Sequence, residues 1–474
     1  MSTPPLLHLT PRPAGDAAAA GPEDPLGTPY RQYVYAYPHQ KAYRALADGP
    51  LLSEVWAGER LDALSLYVHV PFCEMRCGFC NLFTRTGAPE RITEAWLGTL
   101  ERQARVTREA LEAQGREIRF TLAAFGGGTP TYLAAGELTR LADVCEGVMG
   151  ADLHAVPWSV ETSPATATED RIAVLAERGA TRVSIGVQTF LEEEARAAVR
   201  PQKRAEVDAA LARLKAADFP ILNIDLIYGI QGQTERTFRT SLDAALDWAP
   251  EEIYLYPLYV RPLTGLIGRH RESGESWDEQ RLRLYRSGRD HLLAAGYEQT
   301  SMRVFRRTGT AAVEQAGDAG ISEYNQQAGM VGLGVGARSF TTDLHYTTDY
   351  AVAVPEVRRI IDDYIATPTE AFRRAQWAFA MDEDERRRMH LLQTLLESSG
   401  TVVARYRELF GAAPAEHFPA QFAALAERGW ADGDGDGTAG TVRLTPEGMA
   451  RADAVGPLFF SHRVAEAMAA YRDR

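Results

Sequence analysis

The chain has 474 residues, 45% of them hydrophobic and 24% charged, which suffices for one large domain and a smaller one. A net charge of −13 opposes a broad nucleic-acid footprint, and no apolar run approaches the roughly eighteen residues of a membrane span. The opening MSTPPLLHLTPRPAGDAAAAGPEDPLG has no basic stretch followed by an apolar one, so secretion is not expected and a reducing cytoplasm is.

Residues 1–28, rich in Pro, Ala and Gly without periodicity, read as a disordered leader. Residues 29–63 form an arm dense in aromatics, with Tyr30, Tyr33, Tyr35, Tyr37 and Tyr43. Such an arm either packs on the surface of the main domain or closes over a bound substrate. From Leu64 onward, short apolar runs alternate with amphipathic helical stretches, the pattern of β-α units and a parallel sheet. Six strands are predicted at Leu64–Val70, Thr121–Phe125, Pro157–Glu161, Arg182–Val187, Ile221–Ile227 and Ile253–Tyr259. Helical patterns fall at Glu94–Ala113, Glu137–Met149, Ala165–Arg178 and Ala205–Ala216. Strands buried on both faces read as continuous apolar runs, and Ile221–Ile227 fits except at Asn223 and Asp225. Periodicity alone does not separate an open sheet from a barrel.

Three of the four cysteines, Cys73, Cys77 and Cys80, fall in YVHVPFCEMRCGFCNLFT directly after the first strand. Thiolates this close select zinc, copper(I) or an iron–sulfur cluster. Structural zinc wants four ligands, and no fourth Cys or His follows at a usable spacing. A 4Fe-4S cluster normally takes four cysteines, so three leave one iron open for a ligand. The fourth cysteine, Cys145, lies at helical spacing from Leu141 and Met149 and reads as a buried core thiol.

Polar residues crowd the predicted strand ends. The second strand runs into Gly126-Gly127-Gly128-Thr129-Pro130, where glycines let a ligand approach the backbone. The third ends at Glu161 and the fourth at Gln188, with Arg200 twelve residues on. Asp225 is a charge inside an apolar run, which asks for a partner or a ligand. The arginine runs Arg303–Arg307 and Arg386–Arg388 read as solvated faces, the first with a possible place at a site mouth. In the last hundred residues, helices at Arg386–Leu396, Val402–Leu409 and Phe418–Glu427 precede VRLTPEGMARAD, a pattern like the wing and helix of a winged-helix fold. The acidic loop Asp432–Asp436 argues against DNA binding there.

C-x3-C-x2-C after a first strand resembles the radical S-adenosylmethionine (SAM) superfamily. The further run of YVHVPFC, GGGTPT, the strand-three Glu, SIGVQ, NIDLIYG and GLGVGARS resembles its oxygen-independent coproporphyrinogen III oxidase-like family. The resemblance implies an α/β fold: a partial six-stranded (β/α)6 TIM-like barrel over residues 64–365 and a C-terminal winged-helix-like lid domain over 370–474. It implies a 4Fe-4S cluster on Cys73, Cys77 and Cys80, with one or two SAM molecules. Phe79 is expected beside the adenine, and Gly127, Gly128 and Thr129 at the methionine end of SAM. Tyr67 and Glu161 are expected to contact the cluster-bound SAM and to serve catalysis. Gln188, Arg200 and Asp225 are expected at one or both SAM sites, and the run through Gly334 lining the same cavity.

The family's oxidases carry a further cysteine where this chain has Asn81-Leu82, and Tyr259 and Arg303 are expected to reshape the substrate pocket. The expected chemistry is reductive SAM cleavage followed by hydrogen abstraction from an organic substrate, with flavodoxin or ferredoxin as electron donor. The outcome is left open between carbon methylation and decarboxylation of a porphyrinogen. A haem-binding chaperone of the same family, and outside it an iron–sulfur electron carrier, are the alternatives.

Overall fold

The computed structural model describes residues 26–34, 36–309, 329–433 and 440–474. Nearly all of the expected leader, Tyr35 and the acidic loop from residue 434 lie outside the described residues. Six parallel strands, β1 (Leu64–Val70), β2 (Phe120–Gly127), β3 (Trp158–Thr162), β4 (Arg182–Gln188), β5 (Ile221–Tyr228) and β6 (Glu252–Pro257), lie side by side in chain order. The order never reverses, so the sheet is singly wound, as in a barrel, and not doubly wound about a switch point. The sixth strand stops at Pro257, two residues short of the predicted end, and leaves Tyr259 in the following loop.

The sheet goes beyond these six. Met330–Leu333 adds a seventh parallel strand beside β1. Antiparallel strands Arg338–Phe340, Leu344–Thr347 and Trp377–Ala380 follow, and the arm supplies the edge at Arg44–Ala45. At the other end, Val304–Arg307 and Tyr297–Gln299 extend β6. The thirteen-stranded sheet has two edges and so forms an open, partial barrel. Trp377–Ala380 lies past residue 365, so the sheet of the barrel continues into the segment expected to open the lid.

Strand pleating decides where the core sits, because alternate side chains face opposite ways. Leu66, Val68, Phe125, Val160, Val183, Ile185, Ile224, Leu226 and Leu255 share one core with Trp96, Leu97 and Leu100 of the helix Glu90–Glu112. The other face is polar: registered neighbours across it include Ser159 with Arg182, Ser184 with Asn223, and Asn223 with Glu252. The expectation of strands apolar on both faces is therefore corrected. Asn223 and Asp225 interrupt the apolar run because they point into the lumen.

The C-terminal unit has its own core, built from helices Glu383–Leu395, Val403–Phe410 and Pro419–Glu427 around a three-stranded antiparallel sheet. The arm is shared between the two cores. Tyr30 packs with the barrel, its ring 6.2 Å from that of Tyr228, whereas Val34, Tyr37 and Tyr43 belong to the C-terminal core. Arg386, Arg387 and Arg388 pair with Asp343, Glu383 and Asp384 but are half-buried, Arg388 lying 4.9 Å over the Phe418 ring, so the expected solvated face is corrected to one packed against the rest of its unit.

Candidate active site

The cysteine loop leaves β1 at Val70 and crosses the C-terminal mouth of the barrel. None of the three thiols is in a disulfide. Cys73 Sγ lies 3.1 Å from Thr129 Oγ1, and Cys77 Sγ accepts a hydrogen bond from Arg200 Nη1 at 2.9 Å. Gly78 tucks under the loop at Ala198 and Val199, donating its N–H to both carbonyls at 3.1 and 3.2 Å. A Cβ there would sit 2.6 Å from Val199, so glycine is what permits the close approach.

Burial pushes the thiols of Cys73 and Cys80 up from the ordinary range, Cys73 strongly, against a smaller opposing pull from Thr129 and, for Cys80, the Leu82 backbone. A buried thiolate needs a cation, and metal binding supplies one while releasing the proton. Among the described residues no three His, Cys, Asp or Glu side chains converge on a single-ion position. Three soft thiolates on one loop, with no fourth protein ligand beside them in sequence, are a donor set that suits an iron–sulfur cluster with one iron left open. The three cysteines thus fit a 4Fe-4S cluster.

The neighbouring strand ends form a cradle. Gly127 has φ +109°, and a Cβ there would meet the His69 ring at 2.6 Å; at Gly128 it would meet the Phe72 carbonyl oxygen at 2.4 Å. Gly127 N–H donates to Glu161 Oε2 at 3.1 Å. A Cβ on Gly126 would come within 3.1 Å of the Tyr67 hydroxyl and 3.2 Å of the Glu161 carboxyl. Tyr67, Glu161 and the glycine turn therefore crowd one spot beneath the cysteine loop. The Tyr67 hydroxyl is also 3.3 Å from His69 Nδ1, and His69 Nε2 is 3.2 Å from the Phe83 carbonyl oxygen. Burial holds His69 low, at about 4, so its ring is neutral at physiological pH. His69, on β1 upstream of the cysteines, is the link between Tyr67 and the cysteine loop. The H-x-P-F-C run would have signalled it, since β1 alternation puts His69 on the same face as Tyr67.

On the opposite wall, Arg200 is anchored by Gln202 Oε1 at 3.0 Å and donates to the Gly186 carbonyl at 2.6 Å. Gln188 ends β4 at a register irregularity with φ +71°, a left-handed backbone that costs a non-glycine residue. Its Oε1 is shielded from solvent and accepts no hydrogen bond among the described residues. A strained residue at a strand end with a buried, unsatisfied acceptor is a candidate ligand contact. Asp225 Oδ1 accepts from Asn223 Nδ2 at 2.7 Å. Phe79 joins an apolar cluster with Ile227, Tyr256 and Leu258 at the ends of β5 and β6.

Gly334 stands apart from this group. A Cβ there would meet the His69 carbonyl oxygen, Trp96 and Leu100, which places Gly334 against the helix Glu90–Glu112 and not beside the cysteine loop; in the same run it is Gly336 that faces the His69 ring, at 3.0 Å. Tyr259 and Arg303 are both engaged by one carboxylate, that of Asp453 in the C-terminal unit: Tyr259 Oη donates to Oδ2 at 2.6 Å and Arg303 Nη2 to Oδ1 at 2.5 Å. Arg303 also lies 4.0 Å over the Tyr33 ring. Asp453 carried no sequence signal, because its partners lie 150 and 194 residues away.

A family model of the radical SAM superfamily matches residues 67–245. The chain is 25% identical over 367 residues to the heme chaperone HemW of Bacillus subtilis, covering 77% of this chain and 92% of that one. It is 32% identical over 291 residues to the oxygen-independent coproporphyrinogen III oxidase of Paracoccus denitrificans, covering 59% of this chain and 62% of that protein. Its fold is like that of the coproporphyrinogen III oxidase of Escherichia coli, with a TM-score of 0.74 over 90% of this chain and 96% of that one, at 23% identity.

Proposed function

Because the chain belongs to the radical SAM superfamily, we propose that it carries a 4Fe-4S cluster on Cys73, Cys77 and Cys80 and cleaves SAM reductively to attack an organic substrate. The carrying observation is that the cysteine loop, the Gly126–Thr129 turn, Glu161 and Gln188 meet at one mouth, with Cys73 against Thr129 and Gly127 N–H on Glu161. When bound, the cluster supplies the electron that splits SAM into methionine and a 5'-deoxyadenosyl radical, the hydrogen-abstracting species. The protein supplies position and exclusion of water.

Gly127 and Gly128 admit the methionine end of SAM to the backbone, and Thr129 holds that turn against Cys73. Glu161, with Tyr67 beside it, offers acceptors for ammonium or ribose hydroxyls. The free acceptor of Gln188, with Arg200 and Asp225, serves the opposite side of the same SAM or a second one, and Phe79 gives an apolar platform for an adenine. The electron comes from an external donor, flavodoxin or ferredoxin.

Beyond SAM cleavage, the named relatives favour a porphyrinogen as substrate, oxidised at its propionates. The share of the Bacillus chaperone that this chain spans supports a second reading, haem binding with little turnover. Methyl transfer from SAM is the remaining outcome, and one assay, paired with a haem titration of the same protein, separates all three.

The reconstituted protein, incubated anaerobically with dithionite, SAM and coproporphyrinogen III, is expected to produce 5'-deoxyadenosine. Absence of that nucleoside with an intact cluster would refute the radical reading. Loss of two carboxyl groups from the tetrapyrrole marks an oxidase. S-adenosylhomocysteine marks methyl transfer, and stoichiometric haem binding without nucleoside marks a chaperone.

A further inference from the structure

Electron tunnelling weakens steeply with distance, so a protein donor must dock on the surface nearest the cluster. The segment 261–271, just after β6, is that surface. Its backbone is fastened to the cysteine loop: Leu266 N–H donates to the Gly78 carbonyl at 2.9 Å, and Gly265 passes so close to Gly78 that a Cβ on it would lie 3.1 Å from the Gly78 Cα. Arg76, inside the motif, donates to the Leu263 carbonyl at 3.4 Å and the Val352 carbonyl at 2.6 Å.

Two properties of the outward side are unusual for this molecule. Leu263 is 44% exposed and Ile267 58%, and Leu82, two residues beyond Cys80, is 51% exposed. These are three of the seven large hydrophobic side chains exposed among the described residues; two lie on the segment fastened to the cysteine loop and the third on that loop itself, and exposed apolar side chains gathered on adjoining segments mark an interaction site. The segment is also basic. RPLTGLIGRHRE holds Arg261, Arg269 and Arg271 against Glu272 alone, in a chain of net charge −13. Arg269 and Arg271 are exposed and form no ion pair among the described residues. Arg261 is turned inward, 4.3 Å over the Tyr259 ring, so the outward charge of the segment is that of Arg269 and Arg271. Glu272 is occupied by the Gly232 N–H at 3.1 Å.

We propose that the exposed Leu263 and Ile267, with Leu82 of the cysteine loop and the exposed Arg269 and Arg271 of the same segment, form the docking surface for an acidic one-electron carrier protein of the flavodoxin type. The inference rests on the radical SAM reading above. Apolar contact at the centre with a charged rim is the anatomy of a transient interface, and opposite charge speeds encounter without tight binding. An acidic carrier would be repelled by the net negative charge of the molecule and drawn to a patch of opposite sign such as this one.

The test compares two electron sources for the reconstituted full chain. With reduced flavodoxin at low ionic strength, the double variant Arg269→Glu/Arg271→Glu should form 5'-deoxyadenosine about tenfold more slowly than the native protein. Ile267→Asp should also be slowed, and added salt should slow the native protein toward the variants. With dithionite, which needs no docking, all three proteins should run at one rate. Equal flavodoxin-driven rates in native and variant proteins would overturn the proposal, as would variants slowed equally with dithionite, or a native protein that accepts no electrons from flavodoxin. A native protein that yields no nucleoside even with dithionite fails at the radical reading itself, and the docking surface falls with it.

Discussion

The two faces of the barrel strands obey opposite rules. Outward positions such as Val68, Phe125, Val183, Ile185 and Leu255 are wholly apolar and almost fully buried under helices. Inward positions on the same strands include Ser65, Ser159, Glu161, Arg182, Ser184, Asn223 and Asp225. Several of these are buried yet incompletely satisfied: the Ser65 and Ser184 hydroxyls and Asn223 Oδ1 have no hydrogen-bond partner among the described residues. Hydrophobic burial holds the outer face. The inner face carries polar groups whose desolvation opposes folding, and that is the expected signature of a lumen meant to receive a polar ligand. The lesson is that stability and function are segregated by pleat, residue by residue, on one set of strands.

The largest effect should come where the inner face is charged and dry. Glu252, fully buried, accepts from Arg182 at 2.7 Å and Arg306 at 2.9 Å. Glu252→Gln would leave Arg182 buried without its counter-charge, and denaturant unfolding should show a loss of about 3–5 kcal/mol. A loss below about 1 kcal/mol would mean that water reaches this floor and the lumen is not dry.

The same carboxylate sharpens the contrast with pH. Burial raises its pKa, but Arg182 and Arg306 more than reverse this, and it lies below the usual carboxylate value. A depressed folded pKa means that its stabilisation is complete above the unfolded pKa of about 4.3 and is lost as pH falls through the folded value. Native protein should therefore lose more stability on acidification below about pH 4 than Glu252→Gln does, as measured by melting temperature against pH.

On the outer face, Ile185→Ala should cost about 2–5 kcal/mol through lost burial and a cavity, with SAM affinity per folded molecule unchanged. Gln188→Ala should do the reverse, relieving little packing but lowering SAM affinity by roughly tenfold, the worth of about one hydrogen bond. Calorimetric titration of the cluster-loaded protein with SAM checks both. Equal SAM affinity in Gln188→Ala would remove Gln188 from the site.

The smallest effect should be at Ser184, whose hydroxyl is buried without a partner. Ser184→Ala should change stability by less than about 1 kcal/mol, and in either direction, because no protein hydrogen bond is lost. A larger loss would reveal an ordered water bridging it to Asn223.

Much of this site was legible in advance. Cys73, Cys77 and Cys80 lie within eight residues of one another, so a local loop brings them together whatever the rest of the chain does. The strand positions were legible for a similar reason, since each βα unit is a local pattern, and the predicted bounds differ from those observed by at most two residues. Two things were not. Asn223 and Asp225 were seen as interruptions of an apolar strand, because the alternation of a polar lumen shows only once the sheet curls. The arm of tyrosines reads in sequence either as an element packed on the surface or as a cover over a substrate, whereas Tyr30 enters the barrel core and Tyr37 enters the C-terminal core, with its hydroxyl on Glu385.

The sequence by itself determined the grouping of Cys73, Cys77 and Cys80 on one loop, the succession of six βα units and the glycine turn at the second strand end, because each depends on spacing within a few residues or one turn of backbone. Tertiary structure decided what Tyr259 and Arg303 do. Read alone they are a bulky ring and a cation at the substrate pocket. In the fold both are held by Asp453, with Tyr33 stacked against the guanidinium. Once buried, Arg303 must find a carboxylate wherever the chain brings one, and no local pattern records that the carboxylate lies 150 residues further on.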